Sequence, residues 1–218
     1  MKDFYELFKK IFWKEKKEII QILEKDKLLQ YNFVEIIIKS YIKLDEDNDY
    51  TIIIENQEEE DEIKDLLGMQ IKLLCILKKF DDIVPALKTS NYYPLKECFN
   101  YCQDSGAYEA ILYIYLKEAN YEKALKLSES KLNEIYGELT RNINGENSID
   151  KYNELIISFD KYLNDCKNIC ENNYQEDLWF DILQLLYTYE KKSENLINQN
   201  KDDTEKNNSS KLLNQKIS

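Results

Sequence analysis

Residues 63–135 read IKDLLGMQIKLLCILKKFDDIVPALKTSNYYPLKECFNYCQDSGAYEAILYIYLKEANYEKALKLSESKLNEI. Apolar residues recur here at three- and four-residue steps, and the breaks between periodic runs are only a few residues long. The spacing predicts helices over 62–79, 82–88, 94–104, 107–118 and 121–139. Gly106-Ala107-Tyr108 opens one of them, and Ala110, Ile111, Ile114 and Tyr115 continue it on one face. Ala119-Asn120-Tyr121 then reads as a tight turn, and Glu122 to Leu132 runs back. Antiparallel helices joined this closely are the unit of an α-solenoid, in which each hairpin buries its apolar face by stacking on the next. The expected fold class is therefore all-α, an α-solenoid of stacked antiparallel hairpins of the tetratricopeptide or clathrin-repeat kind. Such surfaces hold other proteins more often than they perform chemistry.

Working outward, Phe4, Leu7, Phe8, Ile11 and Phe12, then Ile19, Ile22 and Leu23, mark an amphipathic N-terminal helix. Lys9, Lys10, Lys14, Lys16 and Lys17 lie off its apolar stripe, so a helix on an anionic membrane is the alternative to one packed on its neighbour. A second helix is expected over 28–43, apolar on most sides. Residues 44–61 break the pattern. Thr51 to Ile54 has strand propensity but no evident pairing partner, and the segment reads as an irregular acidic insertion. A polar loop over 140–149 precedes helices over about 150–172 and 175–190. From Lys191 the chain is polar and predicts a disordered tail, giving one helical repeat domain over 1–190 and a tail over 191–218.

With 4 Gly and 2 Pro among 218 residues, composition agrees with an almost wholly helical chain. The net charge of −12 is concentrated. Residues 45–65 hold eleven acids against Lys64 alone, which reads as a solvated insertion or, alternatively, an acidic docking loop for a basic partner. Nucleic acid is not expected as a partner, because phosphate recognition needs clustered Lys and Arg and the single Arg is Arg141. No His is present, which removes the commonest general base and most catalytic zinc sites. No phosphate-cradling glycine motif occurs, since Gly68, Gly106, Gly137 and Gly145 are isolated. These residues point to no enzyme, no cofactor and no metal.

Five cysteines without a secretory signal suggest free thiols in a reducing compartment. Cys98 and Cys102, and likewise Cys166 and Cys170, stand one helical turn apart. Two disulfides between helices, or a four-thiolate zinc site, would use such pairs. Small apolar core residues on the stripe of Leu95 and Phe99 would too, and that is the reading preferred. No apolar run approaches the roughly 20 residues that span a bilayer.

Three stretches carry a family resemblance: LGMQIKLLCILKKFDDIVPALKTSNYYPLKECFNYCQDSGAYEAILYIYLKEANYEKALKLSESKL over 67–132, CKNICENN over 166–173 and DLWFDILQLL over 177–186. They resemble the helical-repeat region of the vacuolar protein sorting-associated protein 8 family, relatives of the clathrin-heavy-chain-repeat proteins and subunits of the CORVET endosomal tethering complex. The resemblance implies a scaffold segment that contacts other tether subunits. It implies a cytoplasmic location, peripheral to early endosome or vacuolar membranes. Members of that family also carry an N-terminal β-propeller and a C-terminal RING domain. This sequence has neither a propeller-sized β region nor a Cys/His zinc array, so a Rab-type GTPase is expected to be reached only indirectly. A truncated gene, a split gene or a shortened paralogue would each fit. A generic adaptor of a vesicle coat or another sorting complex is the alternative. The residues expected to govern packing are Gly106, Ala110, Ala119, Tyr121, Ala124, Leu125 and Trp179, small where helices approach and aromatic where hairpins lock.

Overall fold

The computed structural model describes residues 15–44, 50–52, 54, 57–144, 149–173 and 176–199, together with 211 and 215. The chain divides into two compact units, Met1–Ile114 and Tyr115–Ser218. Apart from one short ribbon, the described residues are helical and pack helix on helix.

In the first unit, α1 (residues 15–22) leads through a 3-10 turn to α2 (Lys27–Tyr41). Asp26 caps α2, its Oδ1 accepting the backbone N–H groups of Leu28 and Leu29 at 3.1 Å each. Those donors have no partner within the helix, which is why Asp is favoured at this position. The strands β1 (Ile42–Leu44) and β2 (Tyr50–Ile52) follow, then α3 (Gln57–Ile76), α4 (Ile83–Lys88), α5 (Leu95–Ser105) and α6 (Tyr108–Lys117). The second unit holds α7 (Tyr121–Asn144), α8 (Ile149–Asn173) and α9 (Glu176–Gln199). The division falls inside α6.

Side-chain register fixes the directions of the helices in the first unit. Lys79 lies over the Tyr31 ring at 5.0 Å, while Glu59 and Glu62 face Tyr41, so α2 and α3 are antiparallel. Gln70 Oε1 accepts the Tyr93 hydroxyl at 2.7 Å in a buried bond, and Lys72 lies 5.7 Å from the centre of the Tyr101 ring. A Cβ at Gly68 would meet Pro94 Cγ at 3.0 Å, which explains glycine there. Successive positions on α3 thus meet successive positions on α5, and these two helices run parallel.

The second unit is an up-down-up bundle. Leu125, Ser128, Leu132, Ile135 and Leu139 on α7, and Ile156, Phe159, Leu163, Cys166 and Cys170 on α8, are buried at alternating three- and four-residue steps. That spacing keeps one seam against a neighbour over several turns. Tyr189 ties α9 to both. Its ring stacks on Tyr136 with centroids 4.3 Å apart, meets Phe159 edge-on at 5.9 Å, and its hydroxyl donates to Asn133 Oδ1 at 3.0 Å. The Tyr136 hydroxyl in turn donates to the Tyr189 carbonyl at 3.2 Å.

Several expectations are corrected. Tyr50–Ile52 does have a partner: it pairs antiparallel with Ile42–Leu44, Ile42 opposite Ile52, because α2 ends at Tyr41 and leaves that segment extended. The acidic block is not wholly an insertion, since Glu58, Glu59 and Glu60 form the first turn of α3, where the helix dipole favours negative charge. α7 extends to Asn144 and α8 begins at Ile149, leaving little of the expected 140–149 loop. α9 continues to Gln199, past the end placed at 190. Phe4, Leu7, Phe8, Ile11 and Phe12 lie outside the described residues, as does the tail from 200 except 211 and 215. Within α1 the apolar stripe is shifted: Ile20 is buried, whereas Ile22 is 74% exposed.

Three helices end on the same device. Lys78, Gly106 and Ala119 adopt left-handed φ of 56°, 76° and 55° after α3, α5 and α6. In each case the next residue's N–H reaches back to the helix: Lys79 to the Leu74 carbonyl at 3.0 Å, Ala107 to Cys102 at 2.9 Å and Asn120 to Tyr115 at 2.8 Å. This is the Schellman cap, for which glycine is the unstrained residue. Gly106 is therefore explained by its backbone, and a Cβ there would meet nothing within 4 Å. Ala119→Gly is expected to stabilise the chain by about 1 kcal/mol, because it removes the left-handed strain of a Cβ. Chemical denaturation measures this, and an unchanged or lower midpoint would contradict the cap.

Candidate functional site

The residues singled out for packing fall into two groups. Ala110 on α6 and Ala124 and Leu125 on α7 are buried. The other four differ. Gly106 and Ala119 are exposed caps, Tyr121 at the start of α7 is half-buried, and Trp179 on α9 is half-buried too. The missed anchor is Tyr189, which lies seven residues beyond Ile182 and eleven beyond Leu178, all three buried on the same face of α9. That periodicity was available in the sequence, but it ran to the expected end of the helix.

α9 has a second apolar face. Phe180, Leu183 and Tyr187 are 69%, 59% and 60% exposed. At about 100° per residue these three positions fall within about 60° of arc, directly opposite Leu178, Ile182 and Tyr189. An amphipathic helix needs one apolar stripe to bury against its own core. α9 carries two, and only the inner one is used by the bundle. Single exposed apolar residues are ordinary on a protein surface, whereas three aligned on one helix face make a contact patch. Lys191 lies over the Tyr187 ring, 5.5 Å from its centre, so the patch carries a cation at its C-terminal end.

The first unit contains a groove of about 390 Å³ between α1, α3 and α5, floored by Ile20, Met69 and Leu73 and rimmed by Lys27, Lys72 and Glu97. Beside it lies a buried polar cluster. Lys16, off the apolar stripe in the sequence, is 2% exposed and sits 5.5 Å from the centre of the Tyr41 ring. Its aliphatic stem packs like an apolar chain while its charge faces the aromatic ring and Glu62. Burial pushes the Glu62 carboxyl up to about 7, against the pull of Lys16 and Lys17 and with the help of Glu59 and Asp65. Burial, Glu62 and Glu59 likewise raise the Tyr41 hydroxyl.

A raised carboxyl means that the folded state holds a proton which the unfolded state releases. Its stability contribution is therefore present below the ordinary value of 4.5 and is lost as pH rises towards about 7. Glu62→Gln, which mimics the protonated form, is expected to match the wild type near pH 5 and to exceed its unfolding midpoint near pH 8. Parallel midpoint curves across that range would contradict the burial of Glu62.

All five cysteines are free and buried. Cys75, Cys98 and Cys102 lie in the first unit and Cys166 and Cys170 in the second. Burial raises Cys98 and Cys166 to about 12 each, which keeps both as neutral thiols. Cys166 is hydrogen-bonded with the Ser128 hydroxyl of α7. Among the described residues, no group of three or more His, Cys, Asp or Glu side chains converges as a metal site. No helix among them is long and apolar enough to cross a membrane.

No protein-family model matches this chain, and neither a curated protein nor a solved structure does.

Proposed function

We propose that this chain is a non-enzymatic helical scaffold that works by holding other proteins, and that its outer α9 face is one of the surfaces it uses. The exposed row of Phe180, Leu183 and Tyr187, opposite an already buried face, is the observation that carries this reading. Such a row offers anchors at the spacing that a partner helix occupies. In finer terms, the chain is a segment of an endosomal or vacuolar vesicle-tethering complex of CORVET type, its hairpins part of a longer α-solenoid. It lies on the cytoplasmic side, peripheral to early endosome or vacuolar membranes, and meets a Rab-type GTPase only through other subunits. The sequence resemblance supports this. Its most distinctive stretch, beginning Asp177-Leu178-Trp179-Phe180, opens α9 and supplies both a core residue, Leu178, and the first exposed anchor, Phe180.

The test uses the tagged chain in cells, with Phe180→Ser/Leu183→Ser as the variant. Both positions face solvent, so helical circular dichroism should be unchanged. Co-purification of tethering-complex subunits with the wild type and their loss from the variant is the expected result. Capture of coat subunits instead would favour the generic adaptor. Undiminished recovery with the variant would remove the α9 face from the reading.

A further inference from the structure

One face of α3 lines the groove of the first unit along most of its length. Asp65, Gly68, Met69, Lys72, Leu73 and Ile76 recur at three- and four-residue steps, and all of them border it. At about 1.5 Å per residue this row runs for about 16 Å, or about three helical turns. Ile20 of α1 bounds the groove on one side, and Glu97 and Tyr101 of α5 on the other. Ile20 and Leu73 are buried in the floor, Met69 is half-buried, and Ile76 is 48% exposed at one end. A straight apolar furrow along one helix, walled by others, is the shape into which a further amphipathic helix packs. Met69 suits such a floor, because an unbranched thioether chain refits to whatever side chains meet it.

The charges on the rim are ordered along the furrow. Asp65 stands on α3 one turn before Gly68, and Glu97 of α5 is level with Gly68, its Oε2 3.9 Å from where a Cβ there would lie. Both carboxylates are therefore at the end nearer the start of α3. Lys72 lies one turn beyond Gly68, 5.7 Å from the centre of the Tyr101 ring. Lys27 lies near the end of α3, on the register that sets Tyr31 against Lys79. Glu24, 4.0 Å from Lys27 with its side chain 72% exposed, is the acid at this basic end. Lys17 borders the adjoining cavity with Glu62 and Asp65 and does not line the groove.

We infer that this furrow is a second docking surface, separate from α9, and that it takes an amphipathic helix of a partner protein lying antiparallel to α3. The partner's apolar stripe rests on Ile20, Met69 and Leu73. Its first turn carries Asp or Glu against Lys72 and Lys27, and its last turn carries Lys or Arg against Asp65 and Glu97. Acids in the first turn and bases in the last are also what a helix's own dipole favours, so the groove selects a helix that is stable in itself. The antiparallel direction follows from the same charges, and it sets the partner's dipole against those of α3 and α5, which run parallel to each other. The reversed charge order would place like charges together in this direction, and that juxtaposition excludes competing helices.

The probe is a synthetic helical peptide of about four turns with leucines on one face, Glu in its first turn, Lys in its last and a photo-cross-linker beside the Glu. Its binding to the full chain is followed by fluorescence anisotropy, and the cross-links are mapped by mass spectrometry. The expected result is saturable binding, with cross-links on α3 between Lys72 and Ile76. Lys72→Glu and Met69→Glu should each weaken binding by about tenfold or more with helical circular dichroism unchanged. Phe180→Ser/Leu183→Ser should bind the peptide as the wild type does, which separates this surface from the α9 face. Absence of binding at roughly millimolar peptide would overturn the proposal. So would cross-links confined to α9 or to the Asp65 end, or equal affinity for Lys72→Glu. The cross-link map of the wild type decides the site even where Met69→Glu fails to fold.

Discussion

Tyr189→Ala is expected to lower the stability of the Tyr115–Ser218 unit by about 3–5 kcal/mol, the loss typical of removing a large buried aromatic ring. The ring is 1% exposed and meets Tyr136 and Phe159 from two different helices. Stacked and edge-on ring pairs add to simple area burial. Truncation would leave a cavity beside the Tyr136 and Phe159 rings, where α7, α8 and α9 meet. Tyr189→Phe separates the ring from its hydroxyl. It keeps both ring contacts and loses only the bond to Asn133 Oδ1, and because Asn133 is exposed, water can replace the lost donor. That variant should cost about 1 kcal/mol or less. Denaturant titration, combined with amide exchange across α7–α9, distinguishes the two substitutions. Equal and small losses for both would mean that Tyr189 does not hold the bundle together.

The outer face of α9 predicts the complementary behaviour. Phe180, Leu183 and Tyr187 contribute little to the bundle, so their removal should be felt in binding and not in unfolding. The sequence names most of the apolar residues of this helix, including Leu178, Trp179, Ile182, Leu183, Leu186 and Tyr187. It does not divide them into inner and outer sets, because which of these residues meets α7 and α8 depends on how the three helices pack. Trp179, the largest of them, therefore looked like the lock, whereas Tyr189 is the residue enclosed by the neighbouring helices.

Local signals carried well. Helix positions along 62–118 were legible to within a few residues, since periodicity and turn residues act over short stretches. Relations between elements were not. Nothing in the spacing of Tyr93 indicates that its hydroxyl reaches Gln70, because that depends on how far α3 slides along α5. The strand partner of Tyr50–Ile52 was hidden for a related reason. Ile42 to Leu44 continues the apolar pattern of α2, so the sequence does not show that the helix stops at Tyr41 and leaves these residues extended beside β2. Lys16 lies off the apolar stripe of its helix, and only the fold brings Tyr41 and Glu62 to face it.

Ala119 and Ala124 were indistinguishable as small residues in one helical hairpin, and the same substitution at each should separate them. Ala124 is fully buried on α7. One turn further on, Ser128 donates to the Ala124 carbonyl at 3.2 Å and is hydrogen-bonded with Cys166 of α8, so Ala124 lies on the side of α7 that faces the bundle. Ala124→Glu would place a carboxylate there without a cationic partner, beside a seam already bordered by Glu129 and Asp181. An unpaired buried charge costs several kcal/mol, roughly 3–5 or more, enough to abolish cooperative unfolding of α7–α9 near neutral pH. The introduced carboxyl would itself be raised by burial, and its deficit relative to wild type should shrink as pH falls and it takes up a proton. Ala119→Glu tests the contrast. That residue is an exposed cap already in the left-handed region, so exchanging one Cβ-bearing residue for another leaves the backbone strain unchanged. Its cost should stay within about 0.5 kcal/mol, as for other surface substitutions. Two variants of equal stability would mean that α7 does not face the bundle through Ala124. A collapsed Ala124→Glu beside an intact Ala119→Glu would locate the packing seam on α7 and leave the preceding turn a matter of backbone conformation alone.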